Sequence, residues 1–109
     1  MSEITVLVLA RAKPGRGDDA QAAFQEVAVP THAEAGCILY ALHRVTGDPE
    51  RLVLIERWES REALDAHLAT DHLTEFRAGS ADLWESPPEI ILIEPAPAGD
   101  PVKGSLAGA

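Results

Sequence analysis

Along the chain, short runs rich in β-branched residues alternate with stretches whose apolar positions recur every three or four residues. Residues 4–10 (ITVLVLA) form the first run, and its length and composition predict a buried strand. Lys13-Pro14-Gly15-Arg16-Gly17 breaks it. A helix follows, capped by Asp18 or Asp19, with Ala20, Ala23, Phe24 and Val27 spaced i, i+3, i+4, i+7 on one stripe. Pro30 is expected to end or kink that helix, with room for a further turn before Gly36. Residues 37–45 and 52–58 read as two more strands, and the Thr46-Gly47-Asp48-Pro49-Glu50 loop between them predicts an antiparallel hairpin. Ser60 suits the cap of a helix through Leu64 and Leu68. Thr70-Asp71 marks a joint, after which Leu73, Phe76, Ser80, Leu83 and Trp84 share one side of a second helical stretch. Pro87-Pro88 stops it, and residues 89–94 form the last strand.

The order β-α-β-β-α-β, with the second helix in two pieces, predicts an α+β fold: a ferredoxin-like antiparallel sheet with its helices on one face. In the first strand Ile4, Val6 and Val8 alternate with Leu7 and Leu9; in the third Leu52 and Leu54 alternate with Val53 and Ile55; in the last Ile91 and Ile93 alternate with Ile90 and Leu92. Both sheet faces are therefore apolar, and the helices can cover only one. A second copy of the chain is the expected cover for the other, giving a homodimer joined through its sheet faces, a dimeric α/β barrel. The domain is expected to span residues 1–95. Residues 96–109, rich in Pro, Gly and Ala without a period, read as a mobile C-terminal tail.

Charge and composition narrow the function. The 109 residues carry 9 basic and 18 acidic side chains, a formal net charge of −9. Without a basic cluster, neither nucleic acid nor an anionic membrane is an expected partner. No apolar run approaches the ~20 residues of a membrane span, and residues 1–3 lead into the first strand without a basic or cleavable leader, so a cytoplasmic location is expected. The lone cysteine, Cys37, excludes an intrachain disulfide and the usual zinc spacings. With no phosphate-binding glycine pattern, nucleophile elbow or metal signature, no cofactor and no metal are expected.

The chemistry must then come from a few side chains. His67 and His72 lie five positions apart, about 140° around one continuous helix, so they share a space only if the helix breaks at Thr70-Asp71. His67 borders the buried stripe of Leu64 and Leu68, where it is either a structural histidine satisfied by a carbonyl or by Glu56, or a proton acceptor at the rim of an apolar pocket. Glu56 follows Leu52 and Leu54 with period two and shares their buried face, so it needs a partner: Tyr40, Arg44, His67 or His72. Tyr40 sits mid-strand, where a buried hydroxyl must be paired. His43 and Arg44 are expected at an exposed or dimer edge, His32 beside Glu34 in a solvated turn, and Cys37 as a small buried thiol.

Three blocks carry a family resemblance: Glu34-Ala35-Gly36-Cys37-Ile38-Leu39-Tyr40, then Ile55-Glu56-Arg57-Trp58-Glu59-Ser60, then Ala63-Leu64-Asp65-Ala66-His67-Leu68-Ala69-Thr70-Asp71-His72-Leu73. In this order and spacing the chain resembles the antibiotic biosynthesis monooxygenase family over about residues 3–95. The resemblance implies a sheet-to-sheet dimer with a small pocket between sheet and helices in each protomer. It implies a monooxygenase of quinol or anthrone type that uses neither metal nor flavin, with a small aromatic and dioxygen as its reactants. On that pattern His67 is the catalytic base, Glu56 orients it, and His72 and Tyr40 donate to the developing oxyanion. Trp58, with Phe76 and Trp84 of the later helix stripe, contacts the substrate. Heme-degrading relatives carry an iron-ligating histidine where Arg77 stands here, and an asparagine on the first strand where this chain is apolar, so heme chemistry is not expected. The competing expectations are an acid/base isomerase of a small quorum-signal-like metabolite, and a non-catalytic dimer that binds a small hydrophobic ligand.

Overall fold

A computed structural model describes residues 3–106; the first two positions of the expected domain and the last three of the expected tail lie outside the described residues. Eight elements follow the predicted order: β1 (Ile4–Arg11), α1 (Gly17–His32), β2 (Cys37–Arg44), β3 (Arg51–Trp58), α2 (Arg61–Leu68), α3 (Asp71–Ser80), a single 3-10 turn (Ala81–Leu83) and β4 (Glu89–Ile93). The strands form one sheet in the order β2-β3-β1-β4, every neighbouring pair antiparallel. This is the ferredoxin-like α+β arrangement.

Local chemistry accounts for most boundaries. Ser60 accepts a hydrogen bond from the Ala63 amide at 3.1 Å and starts α2. Thr70 does the same for α3 through the Leu73 amide at 3.3 Å, so the joint at Thr70-Asp71 is a helix restart with its own cap. Two expectations about α1 need correction. Asp18 and Asp19 do not cap it: the helix already begins at Gly17, with Arg16 at the cap position, and both carboxylates lie in its first turn, where they favour the positive end of the helix dipole. Nor does Pro30 end it. The helix runs on to His32, and the Thr31 hydroxyl donates back to the Val27 carbonyl at 2.7 Å.

The helices share one face of the sheet. Val6, Val8, Ala10, Leu52, Leu54, Trp58 and Tyr40 point into it and are buried against Phe24, Val27, Leu64 and Leu83. Burying a side chain the size of Phe24 is worth about 1.5–3 kcal/mol, and its ring also meets Phe76 at 5.0 Å and Trp84 at 5.6 Å between centroids. α1 lies over β2 and against α3, while the helices leave β4 uncovered on this side. Ile90 and Leu92, which the β1–β4 register puts on the same face as Val8 and Val6, are therefore 58% and 47% exposed. The gap beside them becomes the cavity described below. On the opposite face lie Leu7, Leu9, Ala41, Val53, Ile55, Ile91 and Ile93, with no helix over them. Residues 95–106 contain neither helix nor strand; Asp100 Oδ1 accepts from the amides of Val102 and Lys103 in a turn, and residues 104–106 return beside Thr5, Arg57 and Ile93. Among the described residues no helix is long and apolar enough to cross a membrane.

Candidate active site

A cavity of about 650 Å³ opens between the sheet and the α2–α3 pair. Its walls are apolar, with Val6, Val8 and Leu54 from the strands, Phe24, Leu64 and Phe76 from the helices, and Trp84, Ile90 and Leu92 toward the open side. Four buried polar side chains interrupt that lining: Tyr40, Glu56, His67 and Ser80, whose hydroxyl donates to the Phe76 carbonyl at 2.6 Å. Charged groups stand at the exposed rim, Arg61, Arg77 and Glu85.

His67 is 2% exposed in the last turn of α2. Its Nδ1 lies 2.8 Å from Glu34 Oε2, and His72 Nε2 lies 2.8 Å from the same oxygen. The carboxylate accepts from both rings. Glu34 reaches them because Gly36, two residues on, lies directly against Ala63 of α2, where a side-chain carbon at position 36 would collide with the Ala63 methyl. With Nδ1–H committed to Glu34, neutral His67 carries its lone pair on Nε2. That atom makes no hydrogen bond within the protein, and no buried side-chain nitrogen or oxygen among the described residues lacks a partner, so Nε2 opens onto the cavity. Burial is the largest influence on His67 and, with His72 and Arg77 pushing the same way, holds its pKa below the ordinary imidazole value against the Glu34 hydrogen bond and charge. Trp58 stacks behind the ring at 4.5 Å between centroids and Tyr40 meets its edge at 5.6 Å.

Glu56 is the second titratable group in the cavity, 6% exposed and without a cation in ion-pair contact among the described residues. Oε1 accepts from the Trp58 indole N–H at 2.9 Å. Burial pushes its carboxyl up to about 7, against the stabilising Trp58 bond and with a further upward push from the Glu34 charge. Near neutral pH the group is divided between its acid and its carboxylate. The Tyr40 hydroxyl is raised well above its ordinary value, by burial first and then by Glu56, so it stays protonated and can only donate or accept a hydrogen bond.

The chain has relatives among known proteins. The antibiotic biosynthesis monooxygenase family matches residues 3–79. A Mycobacterium tuberculosis protein provisionally named a monooxygenase is 32% identical over 94 residues, which cover 86% of this chain and 92% of that one. The chain belongs to the antibiotic biosynthesis monooxygenase family. The solved structure of a Mycobacterium tuberculosis member superposes with a TM-score of 0.81 at 30% identity, covering 91% of this chain and all 100% of the other. A Pseudomonas aeruginosa protein gives 0.80 at 28% identity over 85% and 93% of the two chains.

For this family member the structure sorts the residues singled out from sequence. His67, Glu56, Tyr40, Phe76 and Trp84 line the one cavity. Trp58 does not. It is fully buried behind His67, so it supports the imidazole and holds Glu56 instead of walling the pocket. The helix does break at Thr70, and His67 and His72 do turn toward one space, but that space is the Glu34 carboxylate, and His72 stays outside the cavity lining. Glu56 does not orient His67: residues two apart on a strand share a face, and the Trp58 N–H two positions on takes the carboxylate. Glu34 does the orienting, in a turn expected to be solvated. The sign that marks it is Gly36, which brings that turn against α2.

Other expectations shift in smaller ways. His32 is exposed yet bonds the Tyr40 carbonyl at 2.9 Å. Arg44 ends the edge strand β2, and its guanidinium bridges the Pro49 carbonyl, Asp18 and Gln21. Cys37 is half-buried, with burial raising its thiol pKa. Glu34, His67 and His72 also offer one ligand atom each within 4.8 Å of one another, a carboxylate-and-two-imidazole set of the kind that holds a divalent ion. As placed, their hydrogen bonds satisfy one another.

Proposed function

We propose that this family member is a cofactor-independent monooxygenase of a small electron-rich aromatic, of quinol or anthrone type, with His67 as base. The observation that carries the reading is His67 in the lining of a largely apolar cavity with Nδ1 held by Glu34, which leaves Nε2 as the ring nitrogen free to accept a proton. For an anthrone, Nε2 takes a proton from the ring methylene. The anion gives an electron to dioxygen, and the two radicals join in a C–O bond. The peroxide takes back the proton held on Nε2; the remaining C–H then loses its proton as the O–O bond breaks, so one oxygen stays as the new carbonyl and the other leaves as water with both hydrogens. The protein's part is to remove the proton, exclude water and hold donors near the oxyanion; Tyr40 and the acid form of Glu56 can donate. A positioned base of this kind contributes about 10²–10⁴-fold.

The working form on this reading is a homodimer closed over the apolar sheet face that no helix covers, in the cytoplasm. The test is oxygen uptake with a panel of quinols, catechols and an anthrone in chelator, against heated protein and His67→Ala. Saturable uptake above both controls supports the reading; uptake equal to the heated control across the panel ends it. A second reading draws on Glu56: two acid/base groups in one cavity are what an isomerase needs to move a proton between carbons. Turnover that survives removal of oxygen selects it.

A further inference from the structure

Among the described residues Lys13, Arg51, Arg77 and Lys103 have no carboxylate within ion-pair distance, and of these four Arg77 alone lines the cavity. Arg11, Arg16, Arg44, Arg57 and Arg61 each hold a carboxylate within ion-pair distance. Arg77 has no such partner among the described residues, yet it lies in the last turn of α3 at the rim of the cavity that contains His67. Glu85 shares the rim and is not within ion-pair distance of it; Arg61, across the opening, is committed to Asp65 at 3.1 Å. The charge of Arg77 reaches inward, since it opposes protonation of His67. An unpaired guanidinium at the mouth of an apolar cavity, in a protein of net charge −9, is a recognition element for an anion whose apolar body lies inside.

We propose that the substrate is an aromatic bearing an acidic substituent, a carboxylate or a phosphate ester, at its outward end, and that Arg77 anchors that substituent while the ring meets His67. This rests on the aromatic-substrate reading above. An anchor at the rim fixes which ring edge faces Nε2.

Calorimetric titration of the intact protein with 2-naphthoate, 2-naphthamide and 2-naphthyl phosphate tests it without turnover. The acid and the amide share size and shape and differ in charge. The expected result is naphthoate binding about fivefold tighter than the amide, as for a partly exposed ion pair, with the preference shrinking as salt rises. Arg77→Gln removes the preference and leaves amide binding unchanged; Arg77→Lys keeps part of it. A phosphate ester bound tighter still, again through Arg77, supports the anchor and identifies its natural source. Equal binding of acid and amide overturns the proposal, as does a preference that survives in Arg77→Gln. Failure of all three probes to bind overturns it together with the aromatic-substrate reading, whereas charge-selective binding without oxygen uptake leaves the anchor standing and sinks only the oxygenase.

Discussion

Replacing Glu56 with Gln tests the electrostatics of the cavity directly. The amide keeps the carbonyl that accepts from Trp58 Nε1 and removes the charge, so packing and the 2.9 Å hydrogen bond survive. A carboxyl at about 7 in the folded protein against 4.5 in the open chain means that the native state holds a proton which the unfolded state has released. Between those two values the folded state binds more protons, so stability falls as pH rises, and it levels off once the group is ionised in both states. At 1.36 kcal/mol for each unit, the cost of ionising buried Glu56 amounts to about 3 kcal/mol above pH 8. Urea unfolding of both proteins from pH 4.5 to 8.5, at one protein concentration, gives the difference curve. Contributions common to both, His67 included, cancel in it. Glu56→Gln should gain about 3 kcal/mol on the parent across this window, the gain building between 4.5 and about 7 and levelling off above that. A flat difference curve would show that Glu56 ionises like an exposed carboxyl, and the desolvation argument would fail.

Glu34→Gln should lower kcat about a hundredfold while the far-ultraviolet spectrum holds, because the His67 ring loses the charged acceptor that fixes its tautomer. His67 must be neutral to act, so kcat/KM should fall as pH drops, with an acid limb below the ordinary imidazole value because burial depresses its pKa; a limb above that value contradicts the assignment. Phe24→Ala should cost about 3–5 kcal/mol in urea unfolding, since Phe24 is 4% exposed and joins Phe76 and Trp84. Ile55→Asp, on the uncovered sheet face, should convert a dimer into a monomer in sedimentation; a parent protein already monomeric at micromolar concentration refutes the dimer.

The sheet and its helices were legible because their signals are local and periodic. Alternation in β1, β3 and β4 assigned faces that the register reproduces, and Ser60 and the Thr70 joint marked helix starts that need only one side chain and one amide. Pro30 misled because the cost of a missing N–H near a helix end is small when Thr31 and the next carbonyls tighten the last turn. The site was legible in membership more than in wiring. Period two placed Glu56 on the buried face and the helix stripe placed His67 beside it. Which group each one holds depends on contacts across 33 residues, as between Glu34 and His67, and no spacing rule reports those.

The stack of Trp58 on His67 carries a consequence for spectroscopy. A protonated imidazole quenches indole emission far better than a neutral one, and these two rings are 4.5 Å apart with the indole sealed from solvent. In a Trp84→Phe background Trp58 is the remaining tryptophan, because the chain contains two. With Glu56→Gln added, so that the group bonded to the indole N–H no longer titrates, the Trp58 emission across pH without any substrate present becomes an optical reading of the protonation state of His67.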